Sequence, residues 1–164
     1  FIYMNISLAN KFASYCIKKK VYVSLAESCT GGLISSKITS VANASKVIKY
    51  CLVTYTNESK HKFLKVPLNI LQKYGAVSEE TAYYMAKGLS KAKKINFSIA
   101  VTGVAGPLGG SKEKPVGLVY FSFLYNKKNI IIERKNFKGS RNKIREEAAN
   151  YALRRSIEIF NLII

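Results

Sequence analysis

Ser28 follows a β-rich run, Val21 to Leu25, and precedes Gly31-Gly32, after which Leu33, Ile34 and Ile38 recur at helical spacing. A serine on such a turn presents its hydroxyl beside backbone N–H groups at a helix start. Those groups and the helix dipole favour negative charge, either an oxyanion or a phosphate. Ser28 is therefore a candidate nucleophile; a helix cap without chemistry is the alternative. A serine nucleophile needs a base. His61 is the only histidine, so the base is otherwise a Lys, Glu or Tyr. Lysine serves where burial or nearby cations lower its pKa, but composition singles out none of the lysines. Cys29 is a rival nucleophile, because a helix start also lowers a thiol pKa. The two neighbours point apart, so one of them packs inward. A second irregular stretch, Thr102 to Gly110, contains Gly103, Gly106, Gly109 and Gly110 and lets backbone approach a phosphate. It carries neither Gly-x-x-x-x-Gly-Lys-Ser/Thr nor Gly-x-Gly-x-x-Gly.

Absences narrow the chemistry further. All nine acidic residues are Glu and there is no Asp, which removes an aspartic dyad, an EF-hand loop and the usual Ser–His–Asp triad. Cys16, Cys29, Cys51 and His61 form no close ligand pair, so no metal is expected. The three spread cysteines fit a reducing compartment better than a disulfide framework. No segment has the roughly 18 apolar residues of a membrane span, and the start lacks a signal-peptide pattern. The expectation is a soluble cytoplasmic protein without a membrane partner.

The elements that must position these residues can be read from periodicity. Leu8, Phe12, Tyr15 and Cys16 share a helical face, and Lys18 to Lys20 suit its C-terminal end. Tyr50 to Tyr55 reads as a strand. Asn57 is placed to cap a short helix with Glu58, Lys60 and Leu64. Pro67 opens another helix and Gly75 closes it. Ser78 caps a third, with Ala82, Met85, Ala86 and Leu89 as its stripe. Phe97 to Val101 reads as a buried strand. Val116 to Leu124 and Ile130 to Phe137 read as a hairpin around Asn126-Lys127-Lys128. A last helix carries Ile144, Ala148, Ala152 and Ile157 on one face. The 164 residues allow one full core. The order predicts a single three-layer α/β/α domain over 1–164, a mixed β-sheet covered by helices on both faces. Both irregular segments then lie beyond strand ends, where ligands bind on such sheets.

Taken together, Ala26-Glu27-Ser28-Cys29-Thr30-Gly31-Gly32, Thr54-Tyr55-Thr56-Asn57-Glu58-Ser59-Lys60, Gly75-Ala76-Val77-Ser78, Thr102-Gly103-Val104-Ala105-Gly106-Pro107, and Gly109-Gly110 with Lys114-Pro115-Val116-Gly117 form a pattern. From about residue 5 to 160 it closely resembles the C-terminal domain of the competence/damage-inducible CinA family and the stand-alone nicotinamide-nucleotide amidases. The resemblance implies hydrolysis of nicotinamide mononucleotide to nicotinate mononucleotide and ammonia, with no cofactor and no metal. It implies Ser28 as nucleophile and Lys60 as base, with supporting catalytic positions at Ser45 and Tyr55, one or the other of which would relay protons. Backbone N–H groups near Gly31 and Gly32 would hold the oxyanion. Glu27, Thr30, Gly31, Gly32, Thr102, Gly103, Gly106, Gly109, Gly110 and Arg141 form the expected substrate-binding set, the loop and Arg141 holding the ribose phosphate. His61 receives no role. Asn43, Cys51 and Leu52 stand where the family usually has smaller residues, which bears on pocket shape. Related proteins imply a homo-oligomer. Longer members carry an additional N-terminal domain, and the chain is expected to hold the amidase unit alone.

The charge of +18 favours an anionic substrate. It also invites a nucleic-acid reading, for which the basic stretch from Lys127 to Arg145 is the best feature. No ordered nucleic-acid-binding motif accompanies it, and Lys, Asn, Ile and Tyr are abundant throughout. Nucleic acid is therefore not the expected partner. A degenerate nucleotide-binding module, or a basic protein linked to competence or DNA damage, is the competing function.

Overall fold

Val23 to Glu27 is buried at every position, so both faces of this strand must be covered. The computed structural model, which describes residues 7–91 and 94–163, shows how. The order is α1 (Leu8–Lys19), β1 (Val23–Glu27), α2 (Leu33–Thr39), a 3-10 turn (Ala44–Lys46), β2 (Ile48–Val53), α3 (Asn57–Leu64) and α4 (Leu68–Tyr74). Then come α5 (Glu79–Leu89), β3 (Phe97–Gly103), β4 (Leu118–Tyr125), β5 (Asn129–Asn136) and α6 (Arg141–Ile163). The strands lie in the order β2-β1-β3-β4-β5. β1 runs parallel to β2 and β3, and β4 is antiparallel to both β3 and β5. The sheet is mixed, as expected.

Side-chain alternation divides the core between the two faces. Leu25, Ile99, Phe121 and Phe123 point toward Phe12 and Cys16 of α1, Ile34 of α2 and Ala148 and Phe160 of α6. Ala26, Ala100 and Leu124 point toward Leu64 of α3, Leu71 of α4 and Met85, Ala86 and Leu89 of α5. The result is three layers: α1, α2 and α6, then the sheet, then α3 to α5.

Boundaries differ from the expected ones for local reasons. The Val21 amide donates to the Cys16 carbonyl and closes α1, so β1 starts at Val23. Thr56, not Asn57, caps α3, in a reciprocal box with Ser59. β3 runs on through Thr102 and Gly103, because β4 pairs with it to that point. Pro67, Gly75 and Ser78 mark their helix ends as read.

The helix that carries Lys60 is held by a close approach. A Cβ added at Gly88 of α5 would stand 2.1 Å from the Leu64 carbonyl oxygen at the end of α3. Gly88→Ala must push the two helices apart. The expected cost is about 1–3 kcal/mol, read by urea denaturation, with a fall in any activity that depends on Lys60.

Candidate active site

The first two strands deliver their residues to one end of the sheet. The Ser28 amide donates to the Val101 carbonyl at 3.0 Å and the Thr54 amide to the Glu27 carbonyl at 2.9 Å. These bonds extend the pairing one residue beyond β1 and β2. Alternation then sends Cys29 into the α1–α2–α6 core. Ser28 takes the other side, toward α3. Gly31 and Gly32 follow with φ of 59° and 93°, values that a side chain would strain.

Glu27 builds the turn from within. It is buried, and its carboxylate accepts from the amides of Gly32 and Ile34 at 3.1 Å and from that of Ser35 at 2.8 Å. The Ser35 hydroxyl donates to it as well. Glu27, not Ser28, therefore satisfies the start of α2. This removes the cap alternative for Ser28. It also gives Glu27 a positioning task in place of the expected substrate contact. The expected oxyanion donors are engaged too: Gly32 N–H with Glu27, and Gly31 N–H with the Ser28 carbonyl at 3.0 Å.

Lys60 comes from the first turn of α3. Helix side chains lean toward the helix N-terminus, so Lys60 reaches back over the chain that enters α3. Its Nζ donates to Ser28 Oγ at 2.9 Å, to the Thr54 carbonyl at 2.8 Å and to the Tyr55 carbonyl at 3.4 Å. Lys60 is fully buried and Ser28 is 7% exposed. Burial lowers the Lys60 pKa from 10.5 to about 8. Burial pushes the Cys29 thiol up to about 12, so Cys29 is not the rival nucleophile its position invited.

Two carbonyls take two of the three Nζ hydrogens. The third tetrahedral position faces Ser28 Oγ. In the ammonium it holds a proton; in the amine it is a lone pair directed at the serine hydroxyl. A lysine so placed can accept that proton at the moment of attack.

Arg141, at the start of α6, donates to the Tyr55 hydroxyl and to the Gly106 carbonyl, both at 2.7 Å. One helical turn on, Arg145 donates to the Thr30 carbonyl at 2.9 Å. Among the described residues neither guanidinium has a carboxylate partner. The two arginines thus tie the serine turn, the entry to α3 and the 104–117 loop together while keeping their charge uncompensated. Sequence reasoning missed Arg145; its i,i+4 spacing from Arg141 was the available signal.

Other expected residues are placed differently. Ser45 is exposed in the 3-10 turn before β2, and β2 separates it from Ser28, so within one chain it relays no proton to that site. The Thr102 hydroxyl is buried and donates to the Ala76 carbonyl at 2.6 Å, anchoring the turn before α5. A Cβ at Gly103 would meet the Leu118 carbonyl, and one at Gly106 or Gly110 would meet Val116, so these glycines serve packing of the loop. Gly109 faces open space. The hydroxyls of Thr30 and Thr54 are buried without a hydrogen-bond partner among the described residues. His61 is exposed, with Nδ1 at 2.8 Å from the Val66 carbonyl. Asn43 has φ of 66°, a left-handed conformation that Asn tolerates. Cys51 and Leu52 are half-buried on β2. Among the described residues no three His, Cys or Glu side chains gather into a metal site, and no helix is long and apolar enough to cross a membrane.

Comparison with known proteins bears on this arrangement. The family model described as the CinA C-terminal domain matches residues 5–160. A CinA-like protein of Kosmotoga olearia is 48% identical over 136 residues, which are 83% of this chain and 33% of that protein. The crystal structure of competence/damage inducible protein CihA from Agrobacterium tumefaciens has a TM-score of 0.89 at 40% identity, covering 92% of each chain. That of the competence damage-inducible protein A (ComA) from Klebsiella pneumoniae has a TM-score of 0.91 at 29% identity, covering 96% of this chain and 97% of that one. The chain spans about a third of the length of the curated relatives it matches.

Proposed function

This chain belongs to the CinA C-terminal domain family, and from that premise we propose that it is a Ser–Lys amidohydrolase that converts nicotinamide mononucleotide to nicotinate mononucleotide and ammonia. The observation that carries the chemistry is the buried Lys60 Nζ, 2.9 Å from Ser28 Oγ, with its other hydrogens on two carbonyls. The substrate follows from the family resemblance and from the uncompensated Arg141 and Arg145, which suit a phosphate.

In the proposed reaction neutral Lys60 takes the Ser28 proton as Oγ bonds to the carboxamide carbon. The Lys60 ammonium passes that proton to the amide nitrogen, the C–N bond breaks and ammonia leaves. Lys60, neutral again, deprotonates a water that attacks the ester carbon. The C–Oγ bond breaks, Ser28 recovers its proton from Lys60, and the carboxylic acid so formed gives its remaining proton to solvent and departs as the carboxylate.

The test is ammonia release from nicotinamide mononucleotide with EDTA present. Release at a steady rate, with nicotinate mononucleotide formed in equal amount, is the expected result. A folded protein that binds the nucleotide but releases no ammonia between pH 7 and 10 would instead be a binding module.

A further inference from the structure

Nine lysines that are dispersed along the chain gather at one end of the sheet. Val23, Ile48, Phe97, Tyr125 and Asn129 pair in one row across the sheet, at the end opposite Ser28. Four connections pass that end. The one from α1 to β1 carries Lys20, directly after Lys18 and Lys19 in the last turn of α1, and the one entering β2 carries Lys46, with Lys49 at the bulge that follows. The α5–β3 connection carries Lys91 and Lys94, and the β4–β5 hairpin carries Lys127 and Lys128. All nine are exposed.

Asn96 binds three of these connections into one face. Its Oδ1 accepts from the Tyr22 amide, its Nδ2 donates to the Lys20 carbonyl, and its own carbonyl accepts from the Asn126 amide. Lys49 Nζ lies 4.3 Å from the centre of the Tyr22 ring and joins the fourth. No glutamate lies in these four connections. Glu158, two residues before the Phe160 ring that packs on Phe97, is already paired with Arg155 at 3.0 Å. Lys20, Lys94 and Lys127 have φ of 54°, 66° and 61°, a conformation in which Gly or Asn would be less strained.

We infer that this lysine-covered end of the sheet is a second binding surface, distinct from the Ser28–Lys60 site, and that its ligand is the phosphate backbone of a nucleic acid. Five strands about 4.8 Å apart make the face about 19 Å wide, so its charges lie in an array and do not converge on one small anion. A duplex presents charges along such a width. Lysines without a reading helix contact phosphates and not base edges, so binding is independent of sequence. Asn96, Asn126 and Asn129 separate the lysines where a membrane-docking face would carry large apolar side chains. Along the chain the lysines fall in four separate segments, so no motif marks the surface. This inference stands whether or not Ser28 is a nucleophile.

The test is fluorescence anisotropy of a labelled 30-base-pair duplex of arbitrary sequence, titrated with the full chain at several salt concentrations. If about five phosphates are contacted, log K falls with log salt with a slope of about −4.5. Lys18→Glu/Lys46→Glu/Lys128→Glu should weaken binding at least about tenfold at 0.1 M salt and flatten the slope by about 2.7. Lys62→Glu/Lys112→Glu/Lys138→Glu changes net charge equally at exposed positions elsewhere, and should cost less than about threefold. If the first variant melts early, Lys46→Gln/Lys128→Gln examines the same face, with an expected slope change of about 1.8. Equal losses in the two triple variants would overturn the inference. So would a parent that binds no duplex in low salt, including one that binds only vesicles of anionic lipid.

Discussion

Lys60→Met is expected to lower kcat on nicotinamide mononucleotide by roughly 10⁴-fold while the protein stays folded. Methionine matches the lysine stem and fills the buried channel from α3, but offers neither lone pair nor proton. Arg141, Arg145 and the 104–117 loop are untouched, so KM should change little. The same variant exposes what the site costs the fold. Burial lowers the Lys60 pKa from 10.5 to about 8, so the folded protein disfavours the ammonium. Below pH 8 the parent bears that whole penalty. Between pH 8 and 10.5 the folded lysine is neutral while the unfolded chain still binds the proton, so stability rises with pH. Over that window the parent should gain up to about 3 kcal/mol relative to Lys60→Met in urea denaturation. A difference that does not change with pH would mean that the lysine is not held out of water.

Ser28→Ala is expected to lower kcat by a similar factor, roughly 10⁴, with nucleotide binding retained in calorimetry. Glu27 caps α2 without help from Ser28, so the turn has no structural need of the hydroxyl. Lys60 keeps both carbonyl partners, and the variant should melt close to the parent. Cys29→Ala should retain activity, because the Cys29 thiol is buried and held protonated. If Ser28→Ala kept more than about a tenth of the parent rate, acyl transfer through Ser28 would be untenable.

Much of this site was legible before the fold was known, and the limits have physical causes. The mixed three-layer sheet followed from periodicity, since both faces of β1 and β3 are apolar and the hairpin is marked by its turn. Ser28 was legible because a strand, a serine and two glycines leave few local conformations. Lys60 emerged through resemblance, because no local rule separates one lysine from the others. The carbonyls of Thr54 and Tyr55 that orient its amine are main-chain groups and leave no trace in residue type. Glu27 and Thr102 were read as facing substrate, yet both are tied inward: the carboxylate found unpaired amides at a helix start, and the hydroxyl found a nearby carbonyl. Ser45 shows how closeness along the chain misleads. Seventeen positions after Ser28, it lies across the length of a strand from it. Likewise the lysine-covered end exists only once four connections are brought side by side.

The central claim is that neutral Lys60, held 2.9 Å from Ser28 Oγ, is the base. Its most direct test is kcat/KM for ammonia release from nicotinamide mononucleotide between pH 7 and 10, above the phosphate titration near pH 6. Activity needs the amine, so the rate should rise about tenfold per pH unit below the pKa and level off above it. The midpoint should lie at about 8, where burial places the lysine. A profile flat from pH 7 to 10, or one still climbing at pH 10, would contradict a buried neutral lysine as the base.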